Sequence, residues 1–222
     1  PSVVYGTGLG VYKSNNGGQA YTQVSGGGIS AFTTCMGIHA PDANHCFVAG
    51  PDATVYFTSD GSAWSNTAIG GEQELRGVYF LDGDVGFVGG GVSEEITEED
   101  PYTGQEVVVG HDIKPQGIVF KTTDGASTFT EMTSGQPWII EGMTFANETI
   151  GIAAMNSNDG MMLQRTTDGG QTWSEVTINA DLGGEAIQML TKPVLVSPLV
   201  GFVAGSAGQP EGGHMNTAFV LK

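Results

Sequence analysis

Basic residues are scarce in this chain. Seven Lys and Arg stand against 24 Asp and Glu, a formal net charge of −17. So few cations cannot neutralise a run of phosphates, which excludes nucleic acid as a partner. Anionic lipid headgroups repel such a surface. No apolar run of 18 residues occurs, so no membrane insertion by a helix is expected. Long amphipathic stretches at helical spacing are missing too, which argues against a helical core.

Cysteine is limited to Cys35 and Cys46, too few for a disulfide framework. They flank a predicted turn at 41–44, where either a hairpin disulfide or two buried thiols fit. His39 and His45 lie between them, but the spacing matches no zinc pattern. His111 and His214 read as surface residues. There is no P-loop, no dinucleotide fingerprint, no G-x-S-x-G and no H-E-x-x-H. No cofactor and no metal are expected. The chain opens at Pro1 and not at Met, as expected where a targeting segment has been removed.

Glycine is what the chain has most of, 36 in 222 residues, and it suits many short strands joined by tight turns. The stretch Thr166-Thr167-Asp168-Gly169-Gly170-Gln171-Thr172-Trp173 shows how. The hydroxyl and the carboxylate can each accept bonds from turn amides. The glycines allow positive φ. The aromatic residue begins the next strand. The pattern recurs on Ser14, Asn16, Gly18 and Tyr21, and again on Thr122, Asp124, Gly125 and Phe129. It recurs one residue shorter on Thr58, Asp60, Gly61 and Trp64. In the first stretch the corresponding residues are Thr166, Asp168, Gly170 and Trp173.

A second motif is a β-run ending in small residues. It appears at 46–50, 86–90, 151–155 and 201–205, with 3–6 as a fifth copy. Another strand precedes each full copy. Together these make a four-strand unit, and repetition of such a unit signals a propeller or array. Five units are begun. The first lacks its first strand and the last lacks its fourth, which leaves strand edges for pairing within the chain or with a second copy. Asn16 and Asp124 are 108 residues apart, as are Asp60 and Asp168, so the chain reads as a tandem duplication. The halves are 1–106 and 107–222, either as two similar lobes or closed into one domain. Val107-Val108-Val109-Gly110 aligns with Val3-Val4-Tyr5-Gly6. The acidic stretch 91–106 reads as an exposed loop. A docking loop for a basic partner is its sharper reading.

These repeats resemble the Asp-box, or BNR, repeat of sialidases, sortilin-type receptors and photosystem II stability/assembly factors. The resemblance implies an all-β protein of β-propeller-like four-stranded antiparallel sheets. It implies that the box residues are structural and not catalytic. Sialidases clamp their substrate carboxylate with three arginines, and this chain has only Arg76 and Arg165. The expectation is therefore a non-enzymatic plastid scaffold of the assembly-factor type, acting on protein partners or on itself. A self-assembling lattice is the alternative, with a looser resemblance to diatom pyrenoid shell proteins in duplication and composition. A secreted carbohydrate-binding propeller or glycosidase is the third reading, and Trp138 is the only Trp outside the boxes for it to use.

Overall fold

The computed structural model describes residues 2–114, 116–178, 186–208 and 215–221. No helix occurs among them. The chain folds as a series of antiparallel sheets taken in sequence order. The first holds β1 (Val4–Gly8), β2 (Gly10–Ser14) and β3 (Thr22–Gln23). The second holds β4 (Gly37–His39), β5 (Cys46–Ala49), β6 (Thr54–Thr58) and β7 (Ser65–Ala68).

The third sheet begins with β8 (Glu74–Phe80) and β9 (Gly86–Gly91). It is then interrupted by a separate hairpin, β10 (Ser93–Glu99) and β11 (Glu106–Ile113). It resumes with β12 (Gly117–Thr122) and β13 (Thr130–Gln136), in the order β13-β12-β9-β8. The fourth sheet is β14 (Ile139–Phe145), β15 (Gly151–Ser157), β16 (Gly160–Thr166) and β17 (Ser174–Glu175). In the last, β18 (Ala186–Leu190) and β19 (Val194–Ser197) pair successive stretches of β20 (Val200–Gly208). There β21 (Met215–Leu221) also pairs with β20.

Two expectations need correction. Residues 93–99 are not loop. They form β10, paired with β11 from Ser93↔Ile113 to Glu99↔Glu106. Val107–Gly110 is consequently not the counterpart of Val3–Gly6. Val4 opens β1, which pairs with β2 in the main series, whereas Val107 lies in the inserted hairpin. A 108-residue offset matched the turns but misaligned this segment. Residue 106 falls inside that hairpin, so the third sheet draws strands from both sides of the 1–106/107–222 division.

The core lies between sheets. Val11 of the first packs with Cys46, Val48, Tyr56 and Trp64 of the second. Phe47, Ala49 and Val55 pack with Leu75, Val78 and Phe80. Phe87 and Val119 pack with Ile140, Met143 and Phe145. Ala154 and Leu163 pack with Leu190 and Val203. The middle junctions each centre on a stacked ring pair. Phe47 and Phe80 lie 3.4 Å apart by centroid and Phe87 and Phe145 lie 3.7 Å apart, both nearly parallel.

The small residue at the start of each β-run follows from this packing. Phe80 pairs with Gly86 and lays its ring over it; a Cβ there would meet the ring at 2.3 Å. Gly151 lies under Phe145 in the same way, at 2.6 Å. In the third and fourth sheets the glycine that starts the run is thus a seat for the aromatic residue ending the sheet's first strand.

Candidate interaction surface

The repeat turns set the frame. In the fourth sheet the Thr166 hydroxyl donates to Asp168 Oδ1 at 2.8 Å and accepts from the Gly170 amide at 2.9 Å. Asp168 Oδ1 accepts from the Thr172 amide at 2.9 Å, and Oδ2 accepts from its hydroxyl at 2.5 Å. In the third sheet, Thr122 donates to Asp124 at 2.9 Å, and Asp124 accepts from the Thr128 amide at 2.9 Å. Ser14 and Asn16 make the same bonds in the first, with Oδ1 of Asn16 accepting from Ala20 N at 3.0 Å. In the shorter copy, Asp60 accepts from Ser62 and Ala63 amides at 2.7 and 2.8 Å.

The four hydroxyls, of Ser14, Thr58, Thr122 and Thr166, are buried. Asp60 is held down at about 2 by the Ser62 and Ala63 amides. Asp124 is held down first by the Thr128 hydroxyl. For Asp168, burial pushes upward, but bonds from Thr172 and Thr166 outweigh it and the net direction is down. Gly18 and Gly170 adopt φ of 89° and 87°. Ala126 holds the matching place in the third sheet at φ 70°, a left-handed conformation in which a Cβ is strained. Gly61 and Gly125 also have positive φ.

The aromatic residues of these turns differ. Trp64 is buried; Phe129 and Trp173 are half-buried, and Tyr21 is exposed. Trp173 is only partly covered between the sheets. Its ring meets Phe145 edge-on at 6.3 Å, and Nε1 donates to the Gly170 carbonyl at 3.2 Å. The other side borders a groove.

That groove, about 630 Å³, lies between the third and fourth sheets. Thr133 and Gln136 of β13 line one wall; Trp138, Met162, Gln164 and Trp173 line the other. Asn158 also lines it, and ties the inserted hairpin to the fourth sheet. Its Oδ1 accepts from Ile113 N at 2.9 Å, and its Nδ2 donates to Asp112 at 3.1 Å and to the Ile113 carbonyl at 3.2 Å. Asn158 thus links the groove to the root of the hairpin. Nothing in the sequence around Asn158 signals this long-range role.

The hairpin carries an uncommon charge pattern. Glu94 faces Asp112, and Glu99 faces Glu106, directly across the ladder. Like charges so placed destabilise a sheet pair. At the root Lys114 bridges Glu94 at 2.9 Å and Asp112 at 2.7 Å. Nearer the tip, no ion pair involves Glu98, Glu99 or Glu106 among the described residues. Between the carboxylates stand Ile96, Val107, Val108 and Val109, all exposed, and Tyr102 at the tip is 96% exposed. The two strands pair only with each other, so each has an outer backbone edge without a strand partner among the described residues.

A further constellation joins three sheets. Lys192 donates to the Val78 carbonyl at 3.0 Å, and its ammonium lies 5.7 Å from the Tyr79 ring centre. His39 lies against Tyr79 with ring centres 4.4 Å apart and planes tilted by 32°, and its Nδ1 accepts from Phe80 N at 3.1 Å. Burial, and then the charge of Lys192, bring His39 down to about 4. Desolvation brings Lys192 to about 8. Gly142 lets the lysine cross, since a Cβ there would lie 2.9 Å from Lys192 Cα. Lys192 comes three residues before Leu195, which pairs with Gly201 as Phe80 and Phe145 pair with Gly86 and Gly151, so it takes the place that Gly77 and Gly142 hold within β8 and β14.

The remaining candidates are placed plainly. Cys35 and Cys46 are free and buried, which decides against the hairpin disulfide. His45 pairs with Asp42 at 2.8 Å. Arg76 is engaged by Glu74 at 2.6 Å and Glu141 at 2.8 Å. Arg165 lies on β16, in the next sheet-to-sheet hollow. The two arginines do not converge on one ligand position. No group of three metal-ligating side chains occurs among the described residues. His111 is exposed opposite Glu95, and His214 lies outside the described residues.

Successive four-stranded antiparallel sheets packed face to face define a β-propeller-like protein. No family model matches the chain, and no curated protein matches it in sequence. Its fold is similar to that of YCF48 bound to D1 peptide, with a TM-score of 0.51 and 18% identity; the match covers 86% of this chain and 54% of that one. It is similar to that of the GH74 xyloglucanase from Xanthomonas campestris, with a TM-score of 0.56 and 11% identity, covering 97% and 36%. The chain thus spans about half the length of the first and about a third of the second.

Proposed function

We propose that this chain is a non-catalytic, Asp-box propeller-type scaffold that binds an extended basic segment of another protein along the β10–β11 hairpin. The carrying observation is the hairpin itself. It combines strand edges lacking strand partners among the described residues, exposed Val and Ile, and carboxylates facing one another across the ladder. A Lys-containing strand added to either edge satisfies the backbone groups and relieves the repulsion at once. The solved complex of a similarly folded protein with a peptide supports the reading. So do the repeats, which resemble those of the plastid assembly factors, and a plastid location goes with that resemblance. The box residues Thr58, Asp60, Thr122, Asp124, Thr166 and Asp168 hold turns in this reading and take no part in chemistry.

The test is a titration with a fluorescent peptide of alternating Lys and Val, against the same peptide with Glu for Lys. The Lys peptide is expected to bind, more weakly as salt rises. Glu99→Lys with Glu98→Lys should abolish binding. Glu99→Lys removes one like-charge pair, so lost binding is not explained by a weaker hairpin. No binding, or equal binding of both peptides, contradicts the proposal.

One observation favours the secreted carbohydrate-binding or glycosidase reading. The groove sets Trp173 beside Gln164, Asn158 and Asp159, a stacking face with amides and a carboxylate. Saturable quenching of tryptophan fluorescence by a β-glucan oligosaccharide, lost in Trp173→Ala, supports it. An unchanged spectrum removes it.

A further inference from the structure

The junction between the fourth and last sheets is built differently from the earlier ones. In the first sheet Tyr5 pairs with Lys13, in the third Phe87 pairs with Lys121, and in the fourth Ile152 pairs with Arg165. Each cation directly precedes the turn hydroxyl of its sheet. Lys13 and Lys121 lie over the rings of Tyr5 and Phe87, 5.5 and 5.6 Å from the centroids. Each also donates to the next sheet, Lys13 to the Gly61 carbonyl at 2.6 Å and Lys121 to the Glu148 carboxylate at 2.8 Å. Arg165 has neither support. Ile152 replaces the ring, and no ion pair involves Arg165 among the described residues.

The facing residues change in step. Phe80 and Phe145, paired with Gly86 and Gly151, bring the second ring to each stacked pair; Leu195, paired with Gly201, holds that place in the last sheet. Glu148 comes three residues after Phe145, and Pro198 three after Leu195, on turns closed alike by Asn147 Oδ1 and Ser197 Oγ. This junction thus lacks both rings and the carboxylate but keeps the cation. It holds a hollow of about 680 Å³ lined by Ile152, Leu163, Arg165, Leu195 and Val203, with no carboxylate among the described residues. The single ring that lines it, Phe202, follows Gly201 and so holds the place of Ile152 in the last sheet, not that of Leu195.

We infer that this hollow is a binding site for a small aromatic carboxylate, its ring between Ile152 and Leu195 and its carboxylate on Arg165. Such a ligand supplies in one molecule the ring and the anion that the junction lacks. The volume falls within the usual range of small-molecule pockets, about 300–1,000 Å³. Apolar burial drives binding, and the planar guanidinium fork, matched to a carboxylate, orients the ligand. Charge alone does not suffice, because a chain of −17 repels free anions over most of its surface. The inference does not depend on what the hairpin or the Trp173 groove binds.

Isothermal titration calorimetry with 2-naphthoate tests it, beside 2-naphthamide and acetate. Naphthoate should bind at one site, the uncharged amide at least about tenfold more weakly, and acetate not measurably. Arg165→Gln should weaken naphthoate by at least about tenfold and remove its advantage over the amide. Pro198→Glu should also weaken it, by giving Arg165 a carboxylate of the chain's own. Ile152→Phe with Leu195→Phe rebuilds the ring pair and should abolish binding while raising the melting temperature. Arg165 is partly exposed, so its variant decides the matter even if the double variant fails to fold. Trp173→Ala should leave the affinity unchanged. No saturable binding at millimolar naphthoate overturns the inference, as does equal binding of the amide. So does naphthoate binding indifferent to Arg165→Gln, retained by the folded double variant, or lost in Trp173→Ala.

Discussion

Thr166→Val separates the bonding of a repeat turn from its packing. Valine keeps nearly the same shape and removes one oxygen. That oxygen accepts from the Gly170 amide at 2.9 Å and donates to Asp168 at 2.8 Å, and the residue is 1% exposed. Asp168 is within reach of water and can be resolvated. The Gly170 amide is buried and cannot. A buried donor left without an acceptor costs about 1–3 kcal/mol. Losing the hydroxyl's bond to Asp168 puts the expected total at about 2–3 kcal/mol. For a chain of this size that lowers the melting temperature by roughly 4–12 °C. Thr166→Ser keeps the oxygen and loses one buried methyl, about 1 kcal/mol. The assay is urea unfolding of both variants beside the parent, with the slope checked for constancy. If Val costs no more than Ser, the hydroxyl does not organise the turn, and the same reasoning fails for Thr58 and Thr122.

Four other outcomes are expected. His39 has its ordinary value of 6.5 lowered to about 4, so the fold favours its neutral form. Its contribution is complete above about 6.5 and lost as pH falls toward 4, worth up to about 3 kcal/mol; urea midpoints across that range should fall, and His39→Gln should flatten the slope. Asp60 acts lower, losing its contribution as pH drops from 3.8 toward about 2. Phe80→Ala removes a buried ring stacked on Phe47 and should cost about 3–5 kcal/mol by chemical denaturation. A thiol reagent should find no reactive cysteine in the native protein and two after unfolding, because Cys35 and Cys46 are free and buried, with burial pushing both thiols up.

Much of the fold was legible because the signal was local. Thr166-x-Asp168-Gly169-Gly170 and its copies encode a turn in a few consecutive residues, and the four-strand unit follows from their repetition. The Gly-Phe-Val runs were legible as strands, but not why Gly is there. That reason lies in Phe80, whose ring covers Gly86 from the paired strand. The hairpin was misread because β10 carries carboxylates on both faces and a single apolar residue, Ile96, so nothing marked it as a strand, and Val107–Val109 was aligned with the wrong partner. The interaction surface was least legible. Asn158 reaches Ile113, and Lys192 reaches Val78, across 45 and 114 residues, and no short-range pattern records such contacts.

The central claim is that the hairpin is where this protein meets its partner. Amide hydrogen exchange, with and without the Lys-Val peptide, reads that location directly. The outward amides of Ser93–Glu99 and of 106–112 should exchange rapidly in the free protein, since they have no strand partner among the described residues, whereas that of Ile113 is held by Asn158. With peptide bound, protection should appear on one of these two edges and leave the turn amides of Gly18, Gly61 and Gly170 unchanged. Protection confined to the groove residues Thr133, Gln136 and Gln164, or none at saturating peptide, would contradict the account.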